Sequence, residues 1–259
     1  MSTLSLTVHE GDDAGSTPDE TDTLTTLAQD GCLCWIAVHR PSGDAFIIAT
    51  PQSDEVTYQA TQRLKNERAL AGYLSPRWAI TATGSTRYQN RYALVYPAFP
   101  FQTLAHRLAH PPGTLTDFLE VALRLCATLS QAHHQGIVHG DIKPDHFFIG
   151  DDDRFLLGNF GLATLAGQSA EGLRASGGTL AYMSPEHTGR TPHPVSTLSD
   201  LYSLGVVLYQ YLTGRLPFGS PCAGEAEWIH HHIATAPRPA DQVREAVPAI
   251  LSAILLRLL

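Results

Sequence analysis

Apolar positions change their spacing partway along the chain. From Leu24 to Ala49 they fall in short runs broken at Asp30-Gly31 and at Ser42-Gly43-Asp44, a pattern that predicts two β-hairpins. Val56 to Leu74 sets Leu64, Leu70, Ala71 and Leu74 on one side at helical spacing and predicts a helix. Trp78–Ala82 and Tyr92–Tyr96 predict two more strands, joined through Tyr88-Gln89-Asn90-Arg91. After Pro97 and Pro100 the period turns helical. Leu115–Gln135 carries Phe118, Ala122, Leu125, Cys126 and Leu129 at steps of three and four, which marks an amphipathic helix. Asp200–Leu212 is apolar nearly all round and is expected to lie buried. Strands with one helix therefore make a small first lobe, and helices dominate a second.

Composition sharpens this outline. At 259 residues and 43% apolar content, the chain can bury one large core or two lobes. Residues 1–23 are polar and acidic (Glu10, Asp12, Asp13, Asp19, Glu20, Asp22) and are expected to form a disordered leader. A formal charge of −8 argues against a nucleic-acid partner, because phosphate contacts need clustered Lys and Arg. No apolar run is long enough to cross a bilayer and no signal peptide opens the chain, so neither membrane nor export is expected. Cys32, Cys34, Cys126 and Cys222 are scattered, which fits neither a disulfide framework nor a four-thiolate zinc site. A reducing, cytoplasmic setting follows. Lys65 and Lys143 are the only lysines, and Arg40 is the only Lys or Arg in the first 62 residues.

The chemistry concentrates in the second lobe. H-G-D-I-K-P-D-H runs from His139 to His146 and N-F-G from Asn159 to Gly161. G-T-L-A-Y-M-S-P-E follows at Gly178–Glu186, then S-D-L-Y-S-L-G-V-V-L-Y-Q-Y-L-T-G-R-L-P-F at Ser199–Phe218. Four motifs in register make a strong signal. From about Leu115 onward the chain resembles a serine/threonine protein kinase. Gly178–Phe218 is especially similar to the kinase-like domain that opens large bacterial hybrid signalling proteins, which continue into an AAA-type ATPase region, a GAF domain and a histidine kinase. The resemblance implies an α+β, two-lobed protein-kinase-like fold: a β-rich lobe over 24–96 with one helix, a hinge at 97–100, and a mainly helical lobe over 101–259.

Carried over residue by residue, the resemblance places Asp141 as catalytic base, with Lys143 and Thr179 as its serine/threonine-type companions. It puts His146 and Asn159 where a kinase has the Asn and Asp that hold magnesium. Mg²⁺ wants oxygen ligands in octahedral geometry, whereas imidazole suits zinc or copper better. In the first lobe, Ala49 of F-I-I-A falls at the position of the ATP-binding Lys, and Glu67 matches the helical Glu that would pair with it. The phosphate-loop glycines would fall at Leu27, Gln29 and Cys32, none of them glycine. Ile47 narrows the adenine pocket, while the Pro97 carbonyl and Phe99 N–H remain available to an adenine edge. Gly140 stands where an Arg would grip a phosphorylated activation loop. A later Arg that pairs with the activation-segment Glu, here Glu186, is absent, so the chain is expected to be a fragment or truncated product with Glu186 unpaired. Asp151-Asp152-Asp153 reads as a charged turn, and His230-His231-His232 as a solvated helix end instead of a metal site.

The function expected is that of a pseudokinase: a regulatory or binding module that relays state to downstream domains of its own longer chain or docks a protein partner. ATP and magnesium are implied only if activity remains. One alternative is a weakly active serine/threonine kinase using Asp141 as base. A second, suggested by His139-Gly140-Asp141, is a small-molecule phosphotransferase of the aminoglycoside-kinase type.

Overall fold

A computed structural model describes residues 17–30, 32–98, 100–109, 112–167, 179–218 and 224–259, which divide into two compact units. The first holds the residues up to Phe101 together with Asn159–Gly161; the second holds Gln102–Gly158 and Leu162–Leu259.

In the first unit, β1 (Thr23–Asp30), β2 (Leu33–His39) and β3 (Ala45–Pro51) form the two expected hairpins as an antiparallel meander. Gly43, at φ 94°, makes the second turn, where a side chain would be strained. β4 (Gly84–Tyr88) and β5 (Arg91–Pro97) complete a five-stranded sheet in the order β1-β2-β3-β5-β4. Gln89 and Asn90 join them at φ 49° and 62°, the left-handed pair that a tight two-residue hairpin turn needs. The strand expected at Trp78–Ala82 is not one. Trp78, Ala79, Ile80 and Ala82 are buried, yet they run as irregular chain with a single bridge, and the strand begins at Gly84. Burial and pairing leave the same apolar signature, so the run misleads. Helix α1 (Thr57–Leu70) buries Ala60, Arg63, Leu64, Glu67 and Leu70, a helical stripe that includes two charged residues. Ile36, Val38, Ile48, Ala93 and Val95 pack as a sheet core.

The acidic leader expected over 1–23 is partly structured at its end. Thr17 Oγ1 lies 2.7 Å from Thr86 Oγ1, and Asp19 accepts the Thr21 N–H at 2.8 Å. Residues 1–16 lie outside the described residues.

The second unit is mainly helical. β6 (Phe101–Thr103) leads into α2 (Leu104–Leu108) and the long α3 (Leu115–His134). Thr114 and Asp117 satisfy each other's backbone N–H at the start of α3, a reciprocal cap. Short strands β7 (Ile137–Val138), β8 (Phe147–Gly150), β9 (Phe155–Leu157) and β10 (Thr164–Leu165) flank the motif-bearing segment. The Asp151–Asp153 run makes the turn between β8 and β9, with Asp153 at φ 58°. α4 (Thr197–Thr213) is the buried helix the sequence predicts, capped by Ser196 and Ser199 and ended by Gly214 at φ 73°. α5 (Glu225–Ala234) and α6 (Ala249–Leu258) close the unit. α6 approaches α4 so tightly that a Cβ built on Gly205 would sit 2.7 Å from Leu258 Cβ.

Candidate functional site

The site residues of the second unit hang from one buried carboxylate. Asp200, 1% exposed near the start of α4, accepts the backbone N–H groups of His139 and Gly140, each at 2.8 Å. His133 Nε2 of α3 lies 2.9 Å from the same carboxylate. A buried carboxylate holding backbone donors of a loop fixes that loop's path. Gly140 needs its glycine twice over, at φ 73° and with a built Cβ 3.0 Å from the Leu162 carbonyl oxygen. That crowding, besides the lost charge, separates this position from the Arg of the family pattern.

His139 is fully buried and its tautomer is fixed by its partners. The Asp141 N–H donates to its Nδ1 at 3.2 Å, so the proton sits on Nε2, which donates to the Gly158 carbonyl at 3.1 Å. Burial, and next the nearby His146, push its pKa down to about 4.

Asp141 keeps a tenth of its side chain exposed, while His146 is only 2% exposed. His146 Nδ1 donates to the Asp141 backbone carbonyl at 2.7 Å and stands 3.8 Å from its carboxylate. Lys143, also buried, donates from Nζ to Thr179 Oγ1 at 2.9 Å. Asp141, Lys143, His146 and Thr179 are thus gathered in one unit.

The first unit holds the remaining positions. Ile47 and Ala49 lie on β3 at 4% and 0% exposure, with Ala49 in register between Trp35 of β2 and Leu94 of β5. Glu67, on the buried stripe of α1, accepts a hydrogen bond from the Tyr96 hydroxyl at 2.9 Å. The Tyr96 ring packs at a tilt of 35° against Trp35, with ring centroids 4.9 Å apart. Burial, and next the Glu67 charge, hold the Tyr96 phenol well above its ordinary pKa. Pro97 closes β5 opposite Phe46, and Phe99 lies outside the described residues. Leu27 and Gln29 are β1 residues and Cys32 sits in the following turn. Asn159 is buried at φ 63°, a left-handed backbone that Asn tolerates better than most residues. The next two residues are held from α1: the Asn66 amide donates to the carbonyls of Phe160 and Gly161 at 3.5 and 3.1 Å.

Placed as the resemblance places them, these residues do not supply the groups with which the family holds ATP and magnesium. Where it puts the lysine there is a fully buried methyl group, and where it puts the Asn there is an imidazole whose Nδ1 donates to a backbone carbonyl. Among the described residues no cluster of three or more His, Cys, Asp or Glu is placed to hold a metal.

Two expectations are corrected. Glu186 is not without a partner, because the Ser199 hydroxyl donates to its Oε2 at 3.1 Å. Burial would raise its pKa, but hydrogen bonds from Ser184, its own backbone and Ser199 outweigh that and lower it. The three histidines are not a uniformly solvated helix end. His232 is buried, with Nε2 donating to the Leu180 carbonyl at 2.7 Å and Nδ1 accepting from Tyr202 at 2.8 Å. Tyr96 and Asn66 give no sequence signal of their place here: Tyr96 lies inside an apolar strand, and Asn66 is one polar residue among several in α1.

Residues 32–255 match the protein kinase domain family, and the chain belongs to it. Over 150 residues it is 39% identical to serine/threonine-protein kinase Pkn1 of Myxococcus xanthus, covering 54% of this chain and 21% of that protein. Serine/threonine-protein kinase PknB of Mycobacterium tuberculosis is 32% identical over 157 residues, 59% of this chain and 24% of that protein. Hybrid signal transduction histidine kinase G of Dictyostelium discoideum is 51% identical over 86 residues, 33% of this chain and 2% of that protein. The matched stretches span roughly a quarter or less of those relatives. Among the described residues no helix is long and apolar enough to cross a membrane.

Proposed function

We propose that this protein kinase domain is a pseudokinase, a regulatory or binding module of a cytoplasmic signalling protein. Ala49 carries the reading: it falls where the resemblance puts the phosphate-binding lysine, and it is fully buried between paired strands. Phosphoryl transfer runs on positioning and charge neutralisation, and losing one preorganised electrostatic group costs about 10²–10³ in rate. His146 and Asn159 at the magnesium positions, and Leu27, Gln29 and Cys32 at the glycine positions, remove more of the same machinery. What persists is scaffold: Asp200 gripping the loop, and Lys143 on Thr179. Its partner is then a protein, or downstream domains of a longer chain.

A second reading, a serine/threonine kinase with Asp141 as base, is favoured by the Lys143–Thr179 bond at 2.9 Å and by the relatives' names. Thermal unfolding decides between them. A ligand at about a hundred times its Kd adds about 2.7 kcal/mol to stability. Millimolar ATP with magnesium or manganese is expected to leave Tm unchanged. A metal-dependent rise, with phosphate incorporation lost in Asp141→Asn, would establish the kinase reading.

A further inference from the structure

We propose that Tyr96 is a built-in latch for helix α1. Its hydroxyl bond to Glu67 does the holding that a lysine–glutamate ion pair does in a nucleotide-binding kinase domain, and does it without nucleotide. The inference goes beyond the pseudokinase reading, because it assigns how α1 is held whether or not phosphate is transferred.

A carboxylate at 2% exposure is costly unless donors reach it. The Tyr96 hydroxyl reaches it at 2.9 Å from a side chain itself 1% exposed. An O–H bond to an ionised carboxylate belongs to the stronger class of hydrogen bonds. The donor is permanent, since burial keeps the phenol protonated far above neutral pH. It is also aimed: the ring packs tilted against Trp35, whose own strand position pairs with Ala49. Opposite Trp35 stands a methyl group where the family has a lysine, and the neighbouring strand supplies an uncharged donor to the glutamate instead.

The latch extends past α1. Asn66, next to Glu67, donates to the carbonyls of Phe160 and Gly161. One turn earlier, Arg63 packs so closely that a Cβ built on Gly161 would sit 2.8 Å from Arg63 Cβ. Trp78 meets the Phe160 ring edge-on at 6.0 Å. Tyr96, Glu67, Asn66 and Arg63 therefore connect β5 through α1 to the N-F-G segment by direct contact. None of these bonds uses a nucleotide or metal.

Amide hydrogen exchange on the full chain tests it. Tyr96→Phe is expected to speed exchange across 57–70 and 159–161 by about five- to a hundredfold, the range for a buried carboxylate losing a donor, with β2 and β3 unchanged. Glu67→Gln is expected to loosen α1 less than Tyr96→Phe does, because its amide oxygen still accepts the hydroxyl although the bond loses its charge. Unchanged α1 exchange in a folded Tyr96→Phe protein, or loosening by Glu67→Gln as large as by Tyr96→Phe, overturns the latch. Should Tyr96→Phe not fold, Glu67→Gln is compared with Glu67→Leu: Gln protected and Leu loosened supports the latch, equal behaviour overturns it. Protection of α1 raised by ATP and magnesium in the parent overturns its nucleotide independence. Phosphate transfer by a chain already protected without nucleotide sinks the pseudokinase reading alone.

Discussion

At the scale of single residues, the loop around Asp141 is specified by polar groups whose protonation is fixed by their neighbours. His139 must be neutral to accept from the Asp141 N–H while donating to Gly158. Its pKa near 4 lies below the ordinary 6.5, which makes stability depend on pH with a definite sign. Below pH 6.5 the unfolded chain binds a proton that the folded chain refuses until about pH 4. The stabilisation is complete above 6.5 and drains away as pH falls towards 4, by up to about 3 kcal/mol at 1.36 kcal/mol per unit. His232, lowered mainly by burial, adds in the same direction. His139→Phe is expected to lose about 1–3 kcal/mol at neutral pH, because the Asp141 N–H is left without that acceptor. Its urea-unfolding free energy should then fall less steeply between pH 6.5 and 4 than the parent's. Parallel pH profiles for the two proteins would show that His139 is not the group titrating.

At the scale of elements, legibility followed chemistry. α3 and α4 are visible because one has strong helical periodicity and the other is apolar nearly all round. The β4–β5 hairpin was displaced because Trp78–Ala82 buries apolar side chains without pairing, while β4 itself (Gly84–Tyr88) is too polar to announce a strand. In α1 the inward stripe was drawn through Leu64 and Leu70 but missed Arg63 and Glu67, since charged residues are assumed to face water. Glycine at a helix contact is equally silent in sequence. Gly205 lies in the middle of α4, where glycine costs about 1 kcal/mol of helix propensity relative to alanine. Its reason is the Leu258 Cβ of α6, 2.7 Å from a built methyl. Gly205→Ala gains the propensity yet overpacks the contact, and overpacking costs about 1–3 kcal/mol. Chemical denaturation is expected to show a net loss, with exchange quickened in α6 but not in α1. A gain in stability would mean that α6 shifts freely and that the close approach has no structural consequence.

At the scale of the whole molecule, the changes that set this chain apart from the family pattern fall in both units, while the internal frame of each is retained. The motif segments were legible because four of them kept their spacing. The packing around Glu67 was not, because the hydroxyl that reaches it comes from another strand, at Tyr96, far from Ala49 in sequence. Restoring the family residues therefore meets a filled site. Ala49→Lys alone sets an ammonium against Trp35 at a fully buried position, competing with Tyr96 for Glu67. Residues sharing a partner couple by about 0.5–3 kcal/mol, so Ala49→Lys is expected to cost more with Tyr96 present than in Tyr96→Phe. The combination Ala49→Lys, Tyr96→Phe, His146→Asn and Asn159→Asp removes the Tyr96 donor from Glu67 and supplies the lysine and the oxygen ligands Mg²⁺ takes. It is expected to gain a magnesium-dependent rise in Tm with ATP, of several degrees for a domain of this size. Phosphate transfer is not expected to rise in step, since the resemblance puts Leu27, Gln29 and Cys32, none of them glycine, at the phosphate loop. If the parent and the fourfold variant respond alike to ATP and magnesium, these four positions do not set the nucleotide response of this chain.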